Sequence, residues 1–560
     1  MFDTHRSSGP ESSKVTALMS APQLPGRRKF VRDLAVGLTS VPIAGIAQTV
    51  STGGSKSKGA HQSDRRYIFD VRDFGAVPDG NTPATKSIQA AFDKCHEAGG
   101  GKVVIPAGKY LSAPLFLRSN LELELLPGAY LLGSTNFDDY PTIQGRWEGL
   151  DRTIFASLLT GQDLENITIS GRGTIDGQGQ GWWKAHRETQ ALRRKLGLEG
   201  REPENPPGSP LKWPRPRLIN LYRCKNVHIS GITILNSPSW QVHPVLCEDI
   251  CIEGLIIFAP GDSPNTDGID PDSCRLVRIS NCYISTGDDC VVIKSGYKYQ
   301  PGVKQIPSED IAVTNCVFGT GHAGVAIGSE TSGGVRNVAV SNCVCNGTRR
   351  GLYIKSARGR GNIVENFRAS NVVLKNILDT AVHVGMFYTG SDRTARVEKN
   401  EATPTFRNFH FSGIIVEGAP HAVIVEGLPE SPIREFSLEN VTVNGVKAGL
   451  TCSNTQQARF ERLTVNSESG PSFSFSDVRD LDVSQLRTAK AAPEEVVIRM
   501  ERVENVSVTS CAALESSRAL LEVHGGGSRD VVLALNRVPK GVPEAVFAGG
   551  ADTSVVEKRA

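Results

Sequence analysis

Long apolar runs are missing from this 560-residue chain. No uninterrupted stretch approaches the ~20 residues that a membrane-spanning helix requires, so a helical membrane protein is excluded. A surplus of one charge sign is also missing: 62 Lys and Arg stand against 59 Asp and Glu, a net charge of +3. With no long basic run either, nothing recommends a nucleic-acid partner. Methionine is scarce, at 4 residues, and charged helical stretches are few, which argues against a helical protein. The 12 cysteines include no Cys-x-x-Cys pair, so a zinc ribbon is not expected. Glycine is plentiful, at 57 residues, and 39% hydrophobic against 22% charged residues fits a folded chain rather than a disordered one.

Near the N-terminus, Arg27-Arg28-Lys29-Phe30-Val31-Arg32 precedes a mildly apolar stretch from Leu34 to Ala47, ending in the small residues of Gly45-Ile46-Ala47. This resembles a bacterial twin-arginine export signal over residues 1–47. A Ser-, Gly- and Lys-rich linker follows over 48–66, and folded structure is expected from Tyr67. Such a signal implies export after folding, to the periplasm or outside the cell.

From there the chain repeats. Units read apolar, any, apolar, Ser/Thr/Glu (once Ala-Ser), then Asn or Gly: Ile167–Gly171, Val227–Gly231, Ile250–Gly254, Val277–Asn281, Ile311–Asn315, Val338–Asn342, Phe367–Asn371, Phe409–Gly413 and Phe436–Asn440. From Gly231 onward their last residues are spaced 23, 27, 34, 27, 29, 42 and 27 apart. The alternation is that of a strand with one buried face. The closing Asn or Gly suits a bend at positive φ. Short strands and tight bends at this spacing imply a solenoid, without the leucine spacing of leucine-rich repeats. The expected fold class is all-β: a single-domain right-handed parallel β-helix over 67–560. Its open end needs a cap. Thr85 to Ala98 supplies one, with Ile88, Ala91, Phe92 and Cys95 at helical spacing and Gly99-Gly100-Gly101 to end it. Cysteines that follow a bend, as in Asn281-Cys282, Asn315-Cys316 and Asn342-Cys343, are expected to stack as buried thiols, with room for a bridge or two in an oxidising compartment.

The chemistry concentrates between residues 240 and 360. Asn265-Thr266-Asp267-Gly268-Ile269-Asp270 is followed by Gly287-Asp288-Asp289-Cys290. Asp267 and Asp289 are 22 residues apart, about one coil, so they fall on adjacent rungs. Crowding of Asp267, Asp288 and Asp289 raises the pKa of at least one of them. One protonated acid beside ionised partners is what glycosidic cleavage needs. Clustered carboxylates also suit calcium, and any one of these residues alone is ordinary turn chemistry. His322, and Lys355 33 residues later, are expected to continue the ladder along the same face.

In this order, Asn265-Thr-Asp267, Gly287-Asp-Asp289, Gly321-His322 and the segment ending at Lys355 resemble the polygalacturonases of glycoside hydrolase family 28, the pectin-degrading hydrolases. Asp73-Phe-Gly-Ala76, Asn236-Ser-Pro-Ser-Trp240 through Pro244, and Ala326-Ile-Gly-Ser-Glu330 extend the resemblance over roughly residues 68 to 450. It implies a β-helix, no metal or other cofactor, a pectic polysaccharide or oligosaccharide as partner, and an inverting mechanism, for which two carboxyls sit ~6.5–9.5 Å apart. Asp288 matches the general acid, Asp267 and Asp289 the pair that activates water, and His322 a residue that tunes the acid. Lys355 matches a cation for a substrate carboxylate, and Asn265 belongs to the same binding set. Trp240 and His243, one coil before Asp267, either line a sugar subsite or pack under a loop.

One departure matters: Tyr353 stands where the family carries Arg, and Tyr cannot replace a guanidinium fork. Either Arg349, Arg350 or Arg358 supplies the cation, or the sugar there is not galacturonate, which points to rhamnogalacturonan or decorated pectin. The insertion from Gly177 to Arg217, containing Gly181-Trp182-Trp183, is either a wall that closes one end of the groove, favouring exo-action, or a surface loop. A calcium-dependent lyase and a non-catalytic polysaccharide-binding β-helix are the other readings. A monomer is expected, because a long β-helix buries its own core.

Overall fold

The computed structural model describes residues 67–559 apart from 199–204, 389, 391, 394 and 491–493. The export signal and linker expected before Tyr67 lie outside the described residues. From Ile68–Asp70 to Val556–Arg559 the strands pair in parallel with strands one coil away, apart from the antiparallel hairpin of Thr142–Trp147 and Leu150–Phe155, and form a right-handed parallel β-helix. The register follows the repeat read from the sequence. Val227 pairs with Ile250, Ile250 with Val277, Val277 with Ile311, and so on through Phe409 with Phe436.

All nine bend residues that close the units have positive φ, Gly231 at +74° and Asn281 at +56° among them. A second left-handed residue, which the repeat does not announce, opens each unit: Asn166, Asn226, Asp249, Leu276, Asp310, Asn337, Asn366, Asn408 and Glu435. Each strand is thus bracketed by two left-handed residues, a conformation that Asn and Asp tolerate better than most. The opening asparagines also stack. Asn226 Nδ2 donates to Asn166 Oδ1 at 2.8 Å, Asn366 to Asn337 at 2.9 Å, and Asn408 to Asn366 at 2.7 Å.

The interior takes the apolar residues of every unit. Phe367, Phe411, Phe436 and Phe460 run through successive coils with ring centroids 5.4, 5.5 and 5.7 Å apart. Each buried Phe contributes roughly 1.5–3 kcal/mol relative to exposure. Helix α1 (Thr85–Glu97) caps the N-terminal end and buries Ile88, Ala91, Phe92 and Cys95 completely. Helix α2 (Gln180–Lys195) lies within the expected insertion and buries Trp182 and Trp183. All twelve cysteines are free and all but Cys251 are buried, so the bridge or two allowed by the compartment is not made. Instead Cys224, Cys247 and Cys274 stack: the Cys224 N–H donates to Cys247 Sγ at 3.3 Å, and the Cys247 N–H to Cys274 Sγ at 3.4 Å.

Candidate active site

The site lies on the wall formed by Val242–Val245, Val291–Ile293, Gly321–Ile327, Thr348–Lys355 and Thr380–Gly385. The Gly268 N–H donates to Asp289 O at 2.9 Å, and the Cys290 N–H to Ala323 O at 2.8 Å. Asp267, Asp289, Ala323 and Arg350 therefore occupy successive rungs, with Asp288 and His322 one position earlier. The 22-residue spacing of the two acids is indeed one coil. Two glycines let these rungs close up. A Cβ on Gly268 would lie 2.3 Å from Cys290 O, and one on Gly287 would lie 2.0 Å from Ser263 O. Thr266 Oγ1 accepts from the Gly287 N–H at 3.0 Å, tying the two acidic turns together.

One carboxylate oxygen from each of Asp267, Asp288 and Asp289 lies within 4.8 Å of the others. That is closer than the ~6.5–9.5 Å expected of an inverting pair. His322 Nδ1 is 2.9 Å from Asp288 Oδ1, and Lys355 Nζ is 2.8 Å from Asp289 Oδ2. Lys294 Nζ sits 3.6 Å from each of Asp267, Asp270 and Glu330. The three acids could embrace a cation by distance, but two ammoniums already supply positive charge there. The Asp288 side chain is 18% exposed, against 4% for Asp267 and 2% for Asp289, so Asp288 is the acid with access to the cleft. Oδ1 of Asp267 and Oδ1 of Asp289 have no hydrogen-bond partner among the described residues.

Burial and then the Asp288 charge push the Asp267 carboxyl well above the usual range. Burial likewise lifts Asp270 to about 8, against the pull of Lys294. Burial also acts to raise Asp288, but the His322 hydrogen bond and charge, aided by Lys355 and Lys294, more than offset it and hold that carboxyl low. The same hydrogen bond raises His322 above its ordinary 6.5, against burial. Burial works against the charge on Lys294, yet Glu330, Asp267 and Asp270 raise it well above 10.5. The shifts run apart: Asp267 and Asp270 are pushed toward the protonated form, Asp288 toward the carboxylate and His322 toward the imidazolium.

Several expectations need correction. Lys355 does not continue the His322 rung. Coils there are shorter than the 33 residues assumed, and His322 is level with Arg349, while Lys355 is level with Gly328 and Lys294. Lys355 is buried, and its Nζ reaches the acids from that rung, where Asp289 engages it. Trp240 and His243 are packed, not presented. Trp240 stacks on Trp147 at 4.7 Å and carries Lys294 at 4.5 Å from its ring, and His243 has no exposed surface. Asn265 is held from behind, its Oδ1 accepting from Arg215 Nη2 at 2.6 Å. Tyr353 offers no open face for a neutral sugar: it stacks on His383 at 5.0 Å and lies under the Arg350 guanidinium at 4.4 Å. Arg358 is committed to Glu430 at 2.7 Å.

The structure adds Lys294 and Asp270 to the site, and Glu330, which the sequence shows only as part of a motif. A signal for Lys294 is present in the sequence. Ile293-Lys294 repeats Ile354-Lys355, and the register aligns both with Ile327-Gly328. The insertion also gains a place. It seats against two successive turns, the one before Trp240 and the one before Asp267: Trp183 Nε1 donates to Ser237 O at 2.9 Å, and Arg215 Nη1 to Pro238 O at 2.7 Å and to Pro264 O at 2.8 Å.

Known proteins resemble the chain in both sequence and fold. Residues 95–464 match the model of the glycosyl hydrolases family 28. A probable polygalacturonase of Vitis vinifera is 33% identical over 408 residues, covering 70% of this chain and 78% of the relative. An exo-poly-alpha-D-galacturonosidase of Dickeya chrysanthemi is 27% identical over 453 residues, 74% of each chain. The crystal structure of a hyperthermoactive exopolygalacturonase from Thermotoga maritima is similar with a TM-score of 0.63 and 30% identity, covering 71% of this chain and 91% of that one.

Proposed function

We propose, from the premise that this chain belongs to glycosyl hydrolase family 28 and is a glycosidase, that it hydrolyses galacturonosyl linkages of pectin and acts from chain ends or on oligosaccharides. The observation that carries the reading is the stack of three carboxylates with Asp288 alone exposed and hydrogen-bonded to His322. In the proposed step, Asp288 protonates the glycosidic oxygen, and the proton it delivers is the one shared with the His322 imidazolium. Asp289, held at Oδ2 by Lys355, uses its unpartnered Oδ1 to take a proton from water. Protonated Asp267 orients that water from the adjacent rung. The water's oxygen joins the anomeric carbon as the bond to the leaving sugar breaks.

The insertion supports action at chain ends, because α2 and Arg215 pack against the coil just before Asp267 and wall the groove there. Two relatives carrying exo-activity in their names support the same reading. We assign inversion, following the family resemblance. The close carboxylates would by spacing alone favour retention, so proton NMR of the first anomer formed decides: the opposite anomer is expected, and the same anomer would overturn the assignment. Export to the periplasm or outside the cell, as a monomer, completes the proposal. Its test is mass spectrometry of products from polygalacturonate and from rhamnogalacturonan oligosaccharides in parallel. Monogalacturonate from the first is expected; products from the second alone would move the substrate to rhamnose-containing pectin, and turnover of neither would contradict hydrolysis of the backbone.

A further inference from the structure

Two adjacent coils carry metal-ligating groups on strands that take no part in the site wall, Lys225–Ser230 and Glu248–Glu253. His228 pairs with Cys251 across the rungs, and Ser230 with Glu253. Residues two apart in a strand point to one face, so Cys251 and Glu253 stand side by side with His228 next to the thiol. One ligand atom from each of His228, Cys251 and Glu253 lies within 4.8 Å of the other two. His228 Nε2 is 3.1 Å from Glu253 Oε1, and these two side chains are 41% and 45% exposed. Cys251 is the exception among the twelve cysteines, the one thiol that is not buried. The following rung of the column is Arg278, which lies beside the Cys251 thiol, but its charge is matched by Asp249 at 2.6 Å.

We infer that His228, Cys251 and Glu253 bind a borderline-soft divalent cation of the zinc class, which joins the two coils from outside. Imidazole, thiolate and a single carboxylate form a donor set suited to zinc, whereas calcium and magnesium take shells of oxygen. Zn–S at about 2.3 Å and Zn–N at about 2.0 Å put tetrahedral ligands roughly 3.5 Å apart, so the three atoms close by at most about 1.3 Å on binding. Partly exposed side chains on a fixed pair of strands make that adjustment by rotation. Three protein ligands leave the fourth position to water. The thiol binds as thiolate and gives its proton to solvent, so that thiolate and Glu253 balance the two charges of the ion. This cross-link stands apart from the hydrolase reading, in a chain whose cysteines are all free of disulfides.

The test uses the full chain and zinc chloride, and follows the reaction of thiols with a chromogenic disulfide reagent. One thiol of the folded chain is expected to react, and Cys251→Ser should remove that reaction. Zinc should block it, and calcium at the same concentration should not. His228→Gln and Glu253→Gln should leave the thiol reactive but raise the zinc needed for half protection by at least about tenfold. Cobalt(II) gives a readout that does not depend on access of the reagent: a thiolate-to-metal charge-transfer band should appear in wild type and be missing in Cys251→Ser. Zinc should also raise the melting temperature of wild type and not that of Cys251→Ser. A thiol that stays reactive in zinc, with no cobalt band, would overturn the inference. So would protection unchanged in both His228→Gln and Glu253→Gln, or an equal rise in melting temperature with Cys251→Ser, which would place the ion elsewhere. If Cys251→Ser does not fold, peptide mapping of the labelled thiol in wild type, with and without zinc, decides in the same way.

Discussion

Coils of the same β-helix treat charge in opposite ways. Around the cleft, Asp267, Asp270, Asp272, Asp289, Lys294, Glu330 and Lys355 are all buried. In the C-terminal coils, apart from the buried Glu522 beside Arg499, the rungs pair charge on the outside: Arg479 with Glu504 at 2.9 Å, and Arg502 with Asp477 at 2.7 Å, with side chains 28% to 57% exposed. The stacking geometry is shared, so stacking alone does not make a site. Water screens the outer pairs and leaves them worth little. The buried ones lose that screening, their pKa values move, and a proton can be kept where chemistry uses it.

This contrast can be broken or sharpened by substitution. The largest effect is expected at Asp288. Asp288→Asn should lower kcat on polygalacturonate by about 10²- to 10⁴-fold, the usual range for a general acid, with little change in melting temperature; a loss of under about threefold would remove Asp288 from the acid role. Next comes Lys294→Met, which strands Asp267, Asp270 and Glu330 without their shared cation. Denaturant titration should show a loss of about 3–5 kcal/mol, as for other broken buried pairs.

A smaller effect concerns pH. Asp270 is raised, so its contribution to stability is fully present below the unfolded carboxyl value and is lost as pH rises toward about 8. Asp270→Asn should therefore flatten the fall in stability between roughly pH 4 and pH 8, read by melting across that window; an unchanged slope would contradict the buried proton. The smallest is Arg502→Met, expected to cost no more than about 1 kcal/mol. If denaturant titration gave it the same cost as Lys294→Met, the distinction between inner and outer rungs would collapse.

Much of this is legible in the sequence. The 22-residue gap between Asp267 and Asp289 is about one coil, and that alone places the two acids on adjacent rungs. A period-2 pattern with a left-handed stop is a local signal, and all nine stops are readable from it. The opening residues are not, because Leu276 and Glu435 adopt the same conformation as the asparagines without advertising it. Long-range facts are hidden for a different reason. Whether Trp240 faces a sugar or Trp147 depends on residues 142–155, a hairpin whose place against the cleft no local pattern announces. Lys355 is misplaced when strand phase is counted from motif to motif instead of from core residue to core residue.

The acid step is taken to run through the Asp288–His322 pair, and the pH dependence of kcat/KM on polygalacturonate, wild type beside His322→Gln, tests that most directly. His322 is raised above 6.5 by Asp288, so wild-type activity should hold through mildly acid pH and fall as pH rises through that raised value. In the variant this alkaline limb should move or vanish. An alkaline limb at the same pH in both proteins would contradict the pair as the source of the proton.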